Sequence, residues 1–186
     1  MSYDLHLFRR KAGLDLESTL ELVSDAEEVK GLSETFRNDF SISKREVANQ
    51  LLGAGLSLHE LKLDYAVLAV RLNSHSDAIG HLADIELLSL EGAEPPIEVT
   101  CGNFSIGVSF PYWALNEQRK QKLEEAIGRL QSFASTQGLV LYDPQLHMEV
   151  GSESIRHMES VFDEVVRGFS QTVEKQTRHL KWKFWG

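Results

Sequence analysis

The stretch Ile97-Glu98-Val99-Thr100-Cys101-Gly102-Asn103-Phe104-Ser105-Ile106-Gly107-Val108-Ser109-Phe110 carries the clearest structural pattern in the chain. Apolar side chains alternate with polar or small ones on both sides of Gly102-Asn103, the period-two signature of strands with one buried face. A two-residue turn at Gly102-Asn103 pairs residue 101 with 104, 99 with 106 and 97 with 108. In that register every apolar residue falls on one face, so pattern and turn chemistry agree on an antiparallel hairpin.

Working outward, residues 85–90 (IELLSL) read as a neighbouring strand, with Pro95-Pro96 ending the loop between them. At the start of the chain, Tyr3, Leu5 and Leu7 alternate with Asp4, His6 and Arg9, predicting a half-buried strand that Gly13 breaks. Leu16, Leu20 and Val23 then recur at helical spacing, with Asp15 as N-cap. Residues 27–39 show no period and read as a loop or frayed turn. Ser43 and Glu46 form a capping box that opens a helix with Val47, Leu51 and Leu52 inward and Gly53 as its stop.

Ser57 and Glu60 repeat the capping-box pattern. Over 57–72 the spacing of Leu58, Leu61, Tyr65, Leu68 and Leu72 fits a helix. Alternation of Leu61, Leu63, Tyr65 and Val67 fits a strand nearly as well, so the element stays open with helix favoured. Asn116 caps a helix that buries Leu123, Ile127, Leu130 and Ala134 and ends at Gly138. Residues 139–142 (LVLY) form a short strand ended by Asp143-Pro144. A last helix runs from Ser154 to Arg178, with Ile155, Met158, Phe162, Val165, Phe169 and Val173 on one stripe. This order predicts an α+β fold, a largely antiparallel sheet with helices packed on one face. Residues 1–180 form one domain in this reading, and 181–186 an aromatic-basic C-terminal tail.

One domain suits a chain of 186 residues with 25% charged side chains. Its single cysteine, Cys101, excludes an intramolecular disulfide and a four-cysteine zinc site. No signal-like or membrane-spanning apolar run is present, so the cytoplasm is the expected location. The net charge of −9 sits in the first hundred residues, which hold 18 acidic and 9 basic side chains, against 10 of each in the remainder. Such a field disfavours nucleic acid; it serves first to keep the chain in solution, and would also speed encounter with a basic protein partner.

Motifs that carry chemistry are few. Gly53-Ala54-Gly55 follows a helix rather than a strand, and lacks the third glycine and the lysine that cradle phosphates. Ser109 stands in a GVSFP sequence that departs from the nucleophile elbow at its last position and lies inside a predicted strand. Cys101 falls on the apolar face of the hairpin and reads as a small core residue. His75, Asp77, His81 and Asp84 form one polar cluster and His147 with Glu149 another, but neither spacing matches a metal signature. Neither a metal nor a cofactor is therefore expected.

Tyr112 and Trp113 end the best strand, where they can seal the core edge or line a ligand pocket or interface. Trp182, Phe184 and Trp185 interleave with Lys181 and Lys183, a composition that suits a partner groove, a membrane surface or a cap on the core.

Three stretches, MSYDLHLF at the start, FSIGVSFPYW at 104–113 and GLVLYDPQ at 138–145, together resemble a group of poorly characterised bacterial cytoplasmic proteins. Some of these look like the immunity proteins encoded beside polymorphic toxins. The likeness covers about 26 residues and carries no catalytic residue with it. It implies a non-enzymatic protein-binding module that neutralises a basic toxin by occlusion. The alternative is an enzyme or small-ligand protein with a pocket near Tyr112 or the 75–84 segment. The interaction residues expected are Tyr112, Trp113, Trp182, Phe184 and Trp185.

Overall fold

The computed structural model describes residues 2–29, 31–61 and 88–183, with Glu28 and residues from 169 onward as backbone alone. Seven strands form one sheet: β1 (Ser2–Phe8), β2 (His59–Glu60), β3 (Leu88–Ala93), β4 (Pro96–Cys101), β5 (Ser105–Pro111), β6 (Val140–Asp143) and β7 (Met148–Glu149). Their spatial order is β2-β3-β4-β5-β1-β6-β7, and each neighbouring pair is antiparallel. The helices are α1 (Leu16–Glu28), α2 (Glu34–Phe40), α3 (Lys44–Gly53), α4 (Glu117–Gln137) and α5 (Ser152–Lys183). The α+β architecture is the one expected. β1 is inserted between β5 and β6, so α4 spans a split β–α–β crossover.

Alternation builds two cores. Tyr3, Leu5 and Leu7 of β1, Ile97, Val99 and Cys101 of β4, and Ile106, Val108 and Phe110 of β5 are buried on one face. Against that face pack Val47 and Leu51 of α3, Leu123, Ile127 and Leu130 of α4, and Met158 and Phe162 of α5. A smaller cluster joins Phe8, Phe104 and Tyr142 with Val23 and Ala26 of α1 and Phe40 of α2. Phe8 and Tyr142 are sequence neighbours of Leu7 and Leu141, so strand alternation puts them on the opposite face. The main helical layer lies on one face, and α1 and α2 cover part of the other.

The hairpin forms, but its register differs from the predicted one by two residues. Cys101 pairs with Ile106 and Val99 with Val108, around a four-residue turn closed by the Gly102 N–H donating to the Ser105 carbonyl at 2.8 Å. Two residues is one pleat period, so Ile97, Val99, Cys101, Ile106, Val108 and Phe110 all keep the predicted face, Phe104 alone excepted. Phe104 leaves the ladder because the second core claims it: its ring meets Phe36 edge-on at 5.4 Å.

Other departures have local causes. Residues 34–40 are helical, started by the Ser33 hydroxyl accepting from the Phe36 N–H and held by Phe36 against Phe40 one turn on. Ser43 is the N-cap of α3, yet its side chain makes no capping hydrogen bond. The left-handed residue after α3 is Gly55 rather than Gly53, with φ of 76°. Its carbonyl accepts from Arg129 at 2.7 Å, and that guanidinium leaves no room for a Cβ. His59–Glu60 is an edge strand paired with Glu91 and Leu90, so the start of the 57–72 element is not the helix favoured. The remainder of that element, and residues 85–87 of the predicted strand, lie outside the described residues.

Candidate functional site

The sequence-predicted aromatics separate. Tyr112 and Trp113 are partly buried and meet Phe162 of α5 edge-on, with ring centres at 5.1 and 4.9 Å. That geometry closes the core edge and is worth about 0.5–1.5 kcal/mol per pair. Trp113 also lines a groove of about 400 Å³ with Pro95, Pro96, Asn116, Arg119 and Lys122. Its cations are already committed: Lys122 pairs with Glu94, and Arg119 donates to the Ala114 carbonyl at 2.7 Å. Asn116 caps α4 by accepting from the Arg119 N–H. The Trp182 side chain, and Phe184 and Trp185 altogether, lie outside the described residues, although α5 itself runs on through Lys183.

Cys101 is fully buried. Burial pushes its thiol up to about 11, with Lys44 offsetting only part of the shift, so the nucleophilic thiolate is disfavoured. Ser109 sits mid-strand, paired with Glu98 and Asp4, without the sharp turn an elbow needs. His147 Nδ1 lies 3.1 Å from Glu17 while Glu149 meets Arg10 at 3.6 Å, so the two residues of the second polar cluster face different partners. Among the described residues no three His, Cys, Asp or Glu side chains converge on a point. His75, Asp77, His81 and Asp84 lie outside them.

What stands out instead is the solvent face of α1. Asp15 caps it, its carboxylate accepting from the Ser18 N–H at 2.7 Å, and that hydrogen bond holds the carboxyl below its ordinary value. Inward, Val23 and Ala26 reach the second core. Outward, Glu17, Glu21 and Asp25 are exposed at four-residue spacing, a ridge about 12 Å long. Among the described residues, Glu21 and Asp25 pair with no cation, and only His147 faces Glu17. Like charges at this spacing cost a helix roughly 0.2–0.5 kcal/mol per pair.

Large apolar side chains stand at both ends of the helix, Leu14 at 40% exposure before it and Val29 at 53% after it. Leu14 lines an open hollow of about 560 Å³ with Arg10, Lys11, Gly13, Glu17 and His147. Sequence reading placed the acidity in this half of the chain but not on one helix face. The signal was present in the spacing 17, 21, 25, once α1 was recognised as amphipathic.

No helix among the described residues is long and apolar enough to cross a membrane. Comparison with known protein families, with curated proteins and with solved structures finds no match, so the geometry of α1 and its surroundings stands without a relative to interpret it.

Proposed function

We propose that this protein is a non-enzymatic binding module of the cytoplasm that recognises a basic protein through the solvent face of α1. Its most concrete form is immunity, in which the acidic ridge covers the basic active site of a toxin and occludes it. The observation that carries the reading is the Glu17, Glu21, Asp25 ridge, whose like charges cost the helix stability and in which, among the described residues, Glu21 and Asp25 pair with no cation and Glu17 meets only His147. Exposed Leu14 and Val29 at the helix ends supply apolar contacts, and the hollow beside Leu14 has room for one anchoring side chain. Acidic ridges of this kind speed encounter with a cationic partner and suppress wrong ones. The resemblance of its three short stretches to bacterial proteins, some of which look like immunity proteins, fits the same reading.

The test uses two baits in parallel against an extract of the native host, the wild type and the Glu21→Lys/Asp25→Lys double variant. A basic protein captured by the wild type and lost on the folded double variant supports the proposal. Equal capture by both baits removes α1 from recognition.

A further inference from the structure

At the far end of α1, Glu27 does something the ridge does not. Its Oε1 accepts from the Phe104 N–H at 2.6 Å and the Ser105 N–H at 3.2 Å. Its Oε2 accepts from the Asn103 N–H at 2.9 Å and from the Asn103 side-chain amide at 3.2 Å. Three consecutive backbone donors and one side-chain donor of the β4–β5 turn thus converge on a single carboxylate. Successive N–H groups aimed at one point form a nest, a concavity that selects anions through partial positive charge. The turn is rigidly held around it. Phe104 is anchored in the second core, the Asn103 carbonyl accepts from the Ile42 N–H at 2.6 Å, and Gly102 donates to Ser105. Gly102 completes the cradle, because a Cβ there would sit 2.4 Å from the Glu27 carboxylate oxygen.

We propose that the β4–β5 turn is a carboxylate-binding site, occupied in the free protein by Glu27 of α1, which latches that helix to the sheet. The ligand class follows from the donors. Four neutral N–H groups without a cation suit a single planar carboxylate, and the two oxygens divide them evenly. Glu27 wins over carboxylates in solution because it is tethered, at an effective concentration that free acetate does not match. The site is therefore silent to added ligand until Glu27 is removed. This assignment is independent of what α1 recognises, since it concerns only how the helix is held.

The experiment is chemical rescue. Glu27→Ala lowers the melting temperature by about 4–8 °C, as expected for losing charge-assisted hydrogen bonds in a protein of this size. Sodium acetate then recovers at least half of that loss, relative to sodium chloride at the same pH and ionic strength, and leaves the wild type unchanged. Gly102→Ala fills the cradle, so Glu27→Ala/Gly102→Ala shows no acetate rescue. In amide spectra of Glu27→Ala, the Asn103, Phe104 and Ser105 signals move saturably with acetate and not with chloride. If Glu27→Ala does not fold by itself, acetate should restore its dispersed amide spectrum where chloride at the same ionic strength does not, and a chain that stays unfolded in both would count against the site. Equal responses to acetate and chloride, or rescue that persists with Gly102→Ala, would overturn the proposal.

Discussion

Tyr3 and Tyr142 lie on opposite faces of the sheet, both almost fully buried, and their hydroxyls meet opposite fates. The Tyr3 hydroxyl donates to Asp143 at 2.7 Å, and the other oxygen of that fully buried carboxylate accepts from the Gln145 and Leu146 amides. Burial and the neighbouring Asp143 raise the Tyr3 pKa, so its donor proton stays in place. Among the described residues the Tyr142 hydroxyl has no hydrogen-bond partner, and burial with nearby Glu17 and Asp15 also keeps it protonated. Removing a partner from a buried charge is costly, whereas removing an unsatisfied hydroxyl is not. Tyr3→Phe should therefore destabilise by about 1–3 kcal/mol in urea unfolding, and Tyr142→Phe should be neutral or stabilising.

Two further residues set the pH response. His6 is held below its ordinary value by burial, with Asp4 opposing, so the folded state resists its protonation. Stability attached to this group is present above the free-histidine value and lost as pH falls through the lowered one. Cys101 shifts the other way: between the ordinary thiol value and about 11 only the unfolded chain releases the proton, so stability falls as pH rises through that window. At pH 8 the thiol should react with a disulfide reagent only at the rate of unfolding. Prompt reaction in the native state would contradict its burial. The core position of Cys101 was readable from strand alternation alone. The Asp143–Tyr3 bond was not, since nothing local links residues 140 apart.

At the scale of elements, legibility followed whether a pattern was local. β1, α1, α4 and the hairpin strands each carry their own period and cap. Asp15, Asn116 and Gly138 sit where their chemistry predicts, Gly138 in the left-handed region with φ of 63°. α2 was missed because seven residues carry too short a stripe, and its stability comes from Phe36 and Phe40 packing with Phe104. The hairpin register was misread for the same kind of reason. The four-residue turn is imposed by Glu27 and the second core, both distant in sequence.

The α1 ridge makes its own prediction: Glu21→Lys replaces two like-charge neighbours by attractive ones. It should raise stability by roughly 0.5–1 kcal/mol in thermal or urea unfolding while weakening recognition. A mutation that stabilises the fold and weakens binding would mark the ridge as kept for contact. For α5, the core contacts of the described side chains come from its first turns, through Ile155, Met158, Val161 and Phe162. Deleting residues 181–186 should then shift the melting temperature by no more than about 2 °C. A larger loss would assign Trp182, Phe184 and Trp185 to the core.

Over the whole molecule, a net charge of −9 becomes informative once part of it is seen as a ridge on one helix. Composition fits an acidic single domain and the order of elements an α+β fold; the structure adds a sheet against which α1 packs through Val23 and Ala26 and to whose β4–β5 turn Glu27 is hydrogen-bonded. The candidate interface was read only as a bias of charge between the two halves of the chain, although the four-residue spacing of Glu17, Glu21 and Asp25 within a helix already sets them on one face. The aromatics first singled out at Tyr112 and Trp113 close the core beside Phe162. If recognition runs through the charge of α1, steered association is the property that reports it. The decisive measurement is the association rate of the captured partner across a salt series from about 50 to 500 mM, over which the screening length contracts from about 14 to about 4 Å. For the wild type the rate should fall at least about tenfold, and for Glu21→Lys/Asp25→Lys it should start low and stay nearly flat. A wild-type rate indifferent to salt, or a double variant with the wild-type profile, would show that the charge of α1 does not steer recognition.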